Sequence, residues 1–190
     1  MLIVKTRFCP PRCLVLTLLL VVALPGRGEA PAPWRPQTVF AELGVAERAQ
    51  SVTGGLVWDW GWQRELGWGH VSGHWGVSLG RWHSEGSRGG SAWLLDLGVT
   101  PVLRLRSSSW SPGWFVEAGI GAHLHSNAYR NRDKQFSTRF NFGDHLAVGH
   151  EWGADRQHEL ALRLQHFSNA GIKQPNPGEN FLQLRYSRRI

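Results

Sequence analysis

Apolar side chains recur at every second position through almost the whole chain beyond residue 38. Alternation with a period of two is the pattern of a β-strand whose two faces meet different surroundings. In one segment Asp144 interrupts the apolar row, so we expect a β-bulge there. The segments that show the alternation are 39–47, 55–63, 70–82, 92–104, 114–125, 138–151, 158–168 and 180–190.

Two architectures use alternating strands: a soluble β-sandwich and a closed membrane barrel. In a sandwich the apolar faces pack against each other, whereas in a barrel they face lipid and polar side chains fill the interior. The segments are about 9–14 residues long, which fits a tilted membrane-spanning strand better than a sandwich strand of about 5–6 residues. An even number of strands also closes the sheet without leaving an edge. Tryptophans near segment ends suggest aromatic girdles at the membrane interfaces, namely Trp62, Trp82, Trp93 and Trp114. We therefore predict an all-β fold, an eight-stranded antiparallel transmembrane β-barrel.

The N-terminus predicts export. Basic residues precede an apolar run at Cys13–Leu24, which is shorter than the about 20 residues of a transmembrane helix. We expect residues 1–30 to be a signal peptide cleaved near Ala30 or Ala32, with residues 31–190 forming the barrel. Both cysteines of the chain lie in that peptide, so no disulfide scaffold is expected. Together these features predict a multi-pass protein of the Gram-negative outer membrane.

The charge distribution and the size of the barrel argue against some classes of function, and the loop lengths indicate its orientation. The chain carries a formal net charge of +7, but its basic residues are scattered rather than gathered in a stripe, so no nucleic-acid partner is expected. An eight-stranded barrel is filled by its own side chains, which argues against a pore. With both termini in the periplasm, the connections after odd-numbered strands face outward, and two of them, 83–91 and 126–137, are long. Whether two barrels associate as a homodimer is left open.

Two local patterns suggest chemistry that the predicted strands do not favour. Gly76-Val77-Ser78-Leu79-Gly80 matches the nucleophile elbow of some hydrolases, but that motif needs a strand-to-helix turn and no helical pattern follows here. His123 and His125 share a strand face with Glu117, so a zinc site is conceivable. That face is the barrel interior, where hydrogen-bonded polar side chains are the ordinary filling. No cluster of oxygen ligands predicts a calcium site, and no metal or cofactor is expected.

A third pattern lies at the end of the seventh segment. His166 and Ser168 are two residues apart, so both side chains lie on the face of Leu160, Leu162 and Leu164, about 7 Å apart along the strand. That face is the lipid-facing one, and the strand ends in the outer leaflet. Glu179 opens the neighbouring strand and could orient His166, completing a nucleophile, a base and an orienting acid. The alternative is an interfacial histidine and serine followed by a turn.

The stretch "HFSNAGIKQPN" at residues 166–176, with Glu179 after it, resembles the C-terminal signature of PagL-type lipid A deacylases. The chain length, the signal peptide and the first strand "VFAELGVAE" also resemble the architecture of that family. The resemblance implies an eight-stranded outer-membrane barrel that removes the ester-linked 3-O acyl chain of lipid A. It implies Ser168 as the nucleophile, His166 as the general base and Glu179 as the residue that orients it. Asn169, with a backbone N–H near Gly171, would stabilise the oxyanion.

The expected function is therefore that of a serine esterase acting on lipopolysaccharide in the outer leaflet, without a cofactor. Two other functions remain open on the same scaffold. One is a non-enzymatic barrel that serves as a membrane anchor or an adhesin, and the other is a lipid acyltransferase or phospholipase. Mass spectrometry of lipid A discriminates among them: loss of one hydroxyacyl chain supports deacylation, gain of an acyl chain supports acyl transfer, and no change supports the passive barrel.

Overall fold

The computed structural model describes residues 35–86 and 91–190. The predicted signal peptide and its cleavage site lie outside these ranges and remain predictions. Among the described residues, no helix is both long and apolar enough to span a membrane.

Eight antiparallel strands form one closed barrel in which each strand pairs with its neighbours in sequence and β1 pairs with β8. A short 3₁₀ turn, Ala154–Arg156, precedes β7. The predicted fold class is confirmed, although β2 begins well before the predicted segment 55–63. The strands are β1 Thr38–Val45, β2 Ala49–Leu66, β3 Gly69–Glu85, β4 Ser91–Ser107, β5 Trp114–His125, β6 Phe140–Trp152, β7 His158–Ser168 and β8 Glu179–Arg189.

The two ends of the barrel differ in their connections. One end, here called the loop end, carries the connections 46–48, 86–90, 126–139 and 169–178. The other, here called the terminal end, carries both ends of the sheet, Thr38 and Arg189, and the connections 67–68, 108–113 and 153–157. The long connection predicted at 126–137 is present, and 169–178 is a further long loop. The one predicted at 83–91 is short instead, because β3 continues to Glu85 and β4 begins at Ser91.

The outer wall of the barrel is apolar. The alternating residues predicted to face lipid are exposed there, as in β7 and β8, where Leu160, Leu162, Leu164, Leu182 and Leu184 all lie outward. One tryptophan departs from the predicted girdles: Trp82 is buried inside the barrel. It lies an odd number of residues after Leu79, so the alternation turns it to the interior rather than to the lipid.

Aromatic side chains close the interior at the loop end. Trp82 packs against Phe167 and Phe181 with ring centroids 4.6 Å apart in both cases, and against Tyr129 at 5.5 Å. Phe136, which is almost fully buried, packs edge-on against Tyr129. We call these five residues the aromatic plug. Since two of them come from the connection 126–139, the plug ties that loop to the barrel.

Below the plug the interior is polar and ion-paired. Arg163 and Arg185 both donate to one carboxylate oxygen of Glu42, at 2.6 and 2.9 Å. Nearer the terminal end, Arg104 binds the carboxylates of Glu117, Glu151 and Glu159. These buried acids and arginines thus have opposite charges beside them, which is what burial of charged groups requires. A cavity of about 410 Å³ opens to the terminal end beside Arg104.

Candidate active site

The predicted pair, His166 and Ser168, lies on the outer wall at the loop end. Both side chains are half-buried, whereas Phe167 between them points inward into the aromatic plug. The shared outward face of the pair is therefore confirmed. Their strand, β7, ends at Ser168, where the connection 169–178 begins. Within the described parts of the chain, the two side chains do not hydrogen-bond to each other.

His166 is held by the next strand. Its Nδ1 lies 2.6 Å from the side-chain oxygen of Asn180, its register partner on β8. With Nδ1 protonated and donating to that oxygen, Nε2 is the nitrogen left to act as a base. The imidazole also packs on Gly178: a β-carbon there would lie 2.6 Å from His166 Cε1. Gly178 has φ of 71°, so glycine fits this position both in backbone conformation and in space.

Glu179 does not reach His166, contrary to the prediction. It pairs in register with the inward-facing Phe167 and is 1% exposed inside the barrel. One of its carboxylate oxygens accepts from Tyr129 Oη at 2.7 Å, and the other binds Lys134 Nζ at 2.8 Å. Burial, with the hydrogen bond to Glu179, raises the pKa of the Tyr129 phenol. Glu179 thus anchors the connection 126–139, and Asn180 occupies the position predicted for the orienting residue.

The predicted oxyanion residues are engaged within their own loop. Asn169 is buried, and its side-chain nitrogen donates to Ser137, to Thr138 and to the carbonyl of Lys173. The Gly171 N–H donates to the side-chain oxygen of Asn169 at 2.9 Å. The backbone N–H of Asn169, directly after Ser168, donates to the side-chain oxygen of Asn176 at 3.0 Å. The Asn169 side chain therefore fixes the connection 169–178, and the backbone N–H of Asn169 already donates a hydrogen bond to the side-chain oxygen of Asn176.

Asp144 shows no bulge, contrary to the prediction. The register of β6 runs unbroken through it, with Ile120 opposite on β5 and His166 opposite on β7. Its side chain consequently lies on the same strand face as Phe140 and Leu146 and is exposed on the outer wall. Asp144, His166 and Asn180 form one cross-strand row over β6, β7 and β8, which we call the outer row.

The other two patterns do not form sites. Ser78 lies mid-strand in β3 and lines a small internal space with Asp96 and His123, as expected for a chance motif match. His123 Nδ1 binds Asp96 at 3.0 Å, and His125 Nε2 lies 3.5 Å from the same carboxylate. Glu117, the expected third member, pairs with Arg104 instead. No group of three or more histidine, cysteine or acidic side chains placed to hold a metal ion is found in the described ranges.

The fold and the site define a class: a small membrane-spanning β-barrel with a histidine–serine pair on its lipid-facing wall. Comparison with known proteins gives the family. The sequence model of the family described as "Lipid A 3-O-deacylase (PagL)" matches residues 50–189, so this chain belongs to the PagL family.

Relatives and a solved structure agree with this assignment. The chain is 34% identical to "Lipid A deacylase PagL" of Bordetella bronchiseptica over 78% of this chain and 81% of the relative. It is 32% identical to the protein of the same name from Pseudomonas aeruginosa over 70% and 73%. A structure titled "Crystal structure of the outer membrane enzyme PagL" superposes with a TM-score of 0.70 at 29% identity, covering 80% of this chain and 99% of that one. The barrel is thus an outer-membrane barrel.

Proposed function

We propose that this protein is a lipid A 3-O-deacylase, a carboxylic ester hydrolase of the outer leaflet that uses Ser168 as its nucleophile. The observation that carries the proposal is the position of His166 and Ser168 on the apolar outer wall. A lipid lying against that wall brings its ester bond to the serine without leaving the membrane. Membership of the PagL family supports lipid A as the substrate.

The orientation of the barrel follows from the same reasoning. The site lies at the loop end, and both ends of the sheet, Thr38 and Arg189, lie at the terminal end. In outer-membrane barrels the long loops face outside and the short turns face the periplasm. The pair then lies at the level of the outer leaflet, where lipopolysaccharide resides. The connection 169–178 begins at Ser168 and borders the candidate site on the outer side.

The chemistry has two half-reactions. As Ser168 Oγ attacks the ester carbonyl, its proton moves to Nε2 of His166, and the imidazolium then gives that proton to the departing sugar oxygen. Water, activated in the same way by His166, releases the fatty acid from the acyl-serine. Asn180 keeps Nδ1 as the donating nitrogen, so that Nε2 is free to accept the proton. It is a positioning residue, the role that the sequence alone suggested for Glu179.

The negative oxygen formed during the attack needs hydrogen-bond donors. The backbone N–H of Asn169 is adjacent to the nucleophile and at rest meets the amide oxygen of Asn176. We propose that the ester oxygen replaces that amide oxygen when substrate binds. The Gly171 N–H, now bound to the Asn169 side chain, is the second donor in this proposal.

The test is mass spectrometry of lipid A from cells that express the wild-type barrel, Ser168→Ala, or neither. Wild-type cells should lose one ester-linked hydroxyacyl chain, and Ser168→Ala cells should not, although the variant still migrates as a heat-modifiable barrel. Full deacylation by Ser168→Ala would overturn the mechanism. Gain of an acyl chain would indicate an acyltransferase, and unchanged lipid A with folded wild-type protein would indicate a passive barrel.

A further inference from the structure

Asp144 presents an unpaired carboxylate to the lipid. The side chain is exposed on the outer wall between Phe142 and Leu146 of the same strand. It makes no hydrogen bond and no ion pair with any residue in the described ranges 35–86 and 91–190. The inward-facing acids are different, because Glu42, Glu117 and Glu179 each bind a basic side chain.

A charge in this position is unfavourable for the fold. Ionised side chains on the lipid face destabilise outer-membrane barrels by an amount that grows with depth. Ionisable residues at membrane depth are rare and mark functional sites. A leucine would continue the apolar row of β6 and avoid the cost. The position of Asp144 therefore calls for a functional explanation, and its neighbours supply one.

The neighbour that matters is His166. In the outer row, Asp144 on β6 and Asn180 on β8 flank His166 on the two sides. Side chains directly opposite on adjacent antiparallel strands have their β-carbons about 4.5–5.5 Å apart. The Asn180 amide orients the imidazole through Nδ1 but is neutral. The imidazolium that forms when His166 accepts the serine proton thus has no charged partner on that side.

We propose that Asp144 supplies the negative charge that stabilises the His166 imidazolium during acyl transfer. In a serine triad a single acid both orients the histidine and compensates its charge. Here the two tasks are divided between strands on either side of the histidine: Asn180 orients it and Asp144 compensates it. At the lipid interface the effective dielectric constant is low, so a carboxylate that does not touch the ring still acts on it strongly. Asp144 is a positioning residue in this scheme, and the proposal rests on the proposed function.

The experiment measures kcat and KM of the purified full-length barrel on lipid A in mixed micelles. Asp144→Asn should lower kcat by about 10- to 100-fold and leave KM within about twofold, because the lost charge acts on the transition state. The matched control is Asp155→Asn, which removes the same charge from an exposed position at the terminal end and should change neither constant.

A charge transfer between strands sharpens the test. The double variant Asp144→Asn with Asn180→Asp moves the carboxylate from one flank of His166 to the other and should recover most of the lost kcat. Asp144→Leu should lower kcat at least as much as Asp144→Asn, while raising the temperature at which the barrel unfolds in gel-mobility assays. A purely structural role for Asp144 predicts neither the recovery nor this opposition of activity and stability.

Three outcomes would overturn the inference: wild-type kcat in Asp144→Asn, a raised KM with unchanged kcat, or a double variant no better than the single one. The second outcome would make Asp144 a substrate-binding residue instead. Ser168→Ala is measured in parallel. If that variant is inactive while Asp144→Asn is fully active, this inference alone fails; if Ser168→Ala is active, the proposed function fails first.

Discussion

Glu179 and Asn180 are consecutive residues at the start of β8, yet they belong to two different regions of the molecule. Glu179 points into the barrel, where it joins Tyr129 and Lys134 beneath the loop 126–139. Asn180 points outward and holds His166. The acids Glu42, Glu117 and Glu179 of the inner region are each paired with a basic side chain. The outer row, with Ser168 beside it, instead places a few polar side chains on an apolar wall.

The contrast separates stability from chemistry. A buried carboxylate with four hydrogen-bond donors around it is well suited to fixing a loop, and changing it should mainly alter the stability of the fold. The polar side chains of the outer row contribute little packing, and one of them is a charge exposed to lipid. Changes in the outer row should therefore alter catalysis without lowering the stability of the fold. Each prediction below tests that division.

The largest effect is expected for the base. His166→Ala should lower kcat by about 10²- to 10⁴-fold, the usual contribution of a general base, with no loss of folded barrel. His158→Ala is the matched control, since His158 lies on the same strand at the terminal end and binds Tyr186 Oη. The control should retain full activity. Equal losses in the two variants would mean that the effect is not specific to the outer row.

A second large effect is expected at Gly178, which the ring of His166 contacts. Gly178→Ala adds a methyl group 2.6 Å from His166 Cε1 and should displace the imidazole, lowering kcat by up to about 10²-fold. Gly153→Ala is the control, because Gly153 also has a positive φ, 88°, but lies at the terminal end. Both variants should lose some stability through backbone strain, and only Gly178→Ala should lose activity. Comparable activity losses would point to strain rather than displacement of the histidine.

The inner region should respond in the opposite way. Glu179→Ala leaves the Tyr129 hydroxyl and the Lys134 ammonium without their acceptor and should lower the free energy of unfolding by about 1–3 kcal/mol. The loop 126–139 should also become more sensitive to protease, while kcat falls less than tenfold. Urea unfolding in lipid vesicles measures the first effect. A kcat as low as that of His166→Ala, with normal stability, would show that Glu179 takes part in the chemistry after all.

The smallest effect is expected on the exposed rim of the loop end. Arg48 binds Asp133 and Glu85 there, and all three side chains are at least partly exposed to solvent. Because exposed ion pairs are screened by water and salt, Asp133→Asn should change neither activity nor unfolding measurably. A clear loss of activity would extend the functional region beyond the outer row.

Most of the fold could be predicted from the sequence because the alternation has a period of two and each strand spans the membrane. The phase of that alternation also determines which residues of the candidate site face outward. Leu182, Leu184 and Tyr186 face outward, so Asn180 must face outward and Glu179 inward. A prediction based on the identity of a carboxylate overlooked this phase, and one step along a strand exchanges the two faces.

Other parts of the site could not be predicted in this way. The loop 169–178 has no period, so the hydrogen bonds of Asn169 to Ser137 and Thr138 depend on tertiary packing that the sequence does not reveal. Asp144 was visible as an interruption of an apolar row, but only the strand register shows that it lies opposite His166. The pairing of Arg104 with acids from three strands likewise could not be predicted, because it depends on the strand register.

The aromatic plug has a consequence for how the rate of this protein is measured. In the described ranges, Trp82 and its neighbours fill the interior at the loop end, whereas Ser168 lies on the outer wall. Under the proposed function, the substrate therefore approaches Ser168 sideways within its own monolayer. The relevant concentration is then the mole fraction of lipid A among the surrounding lipids rather than its amount per litre. Adding inert detergent or phospholipid at constant bulk lipid A should slow turnover as a surface dilution effect.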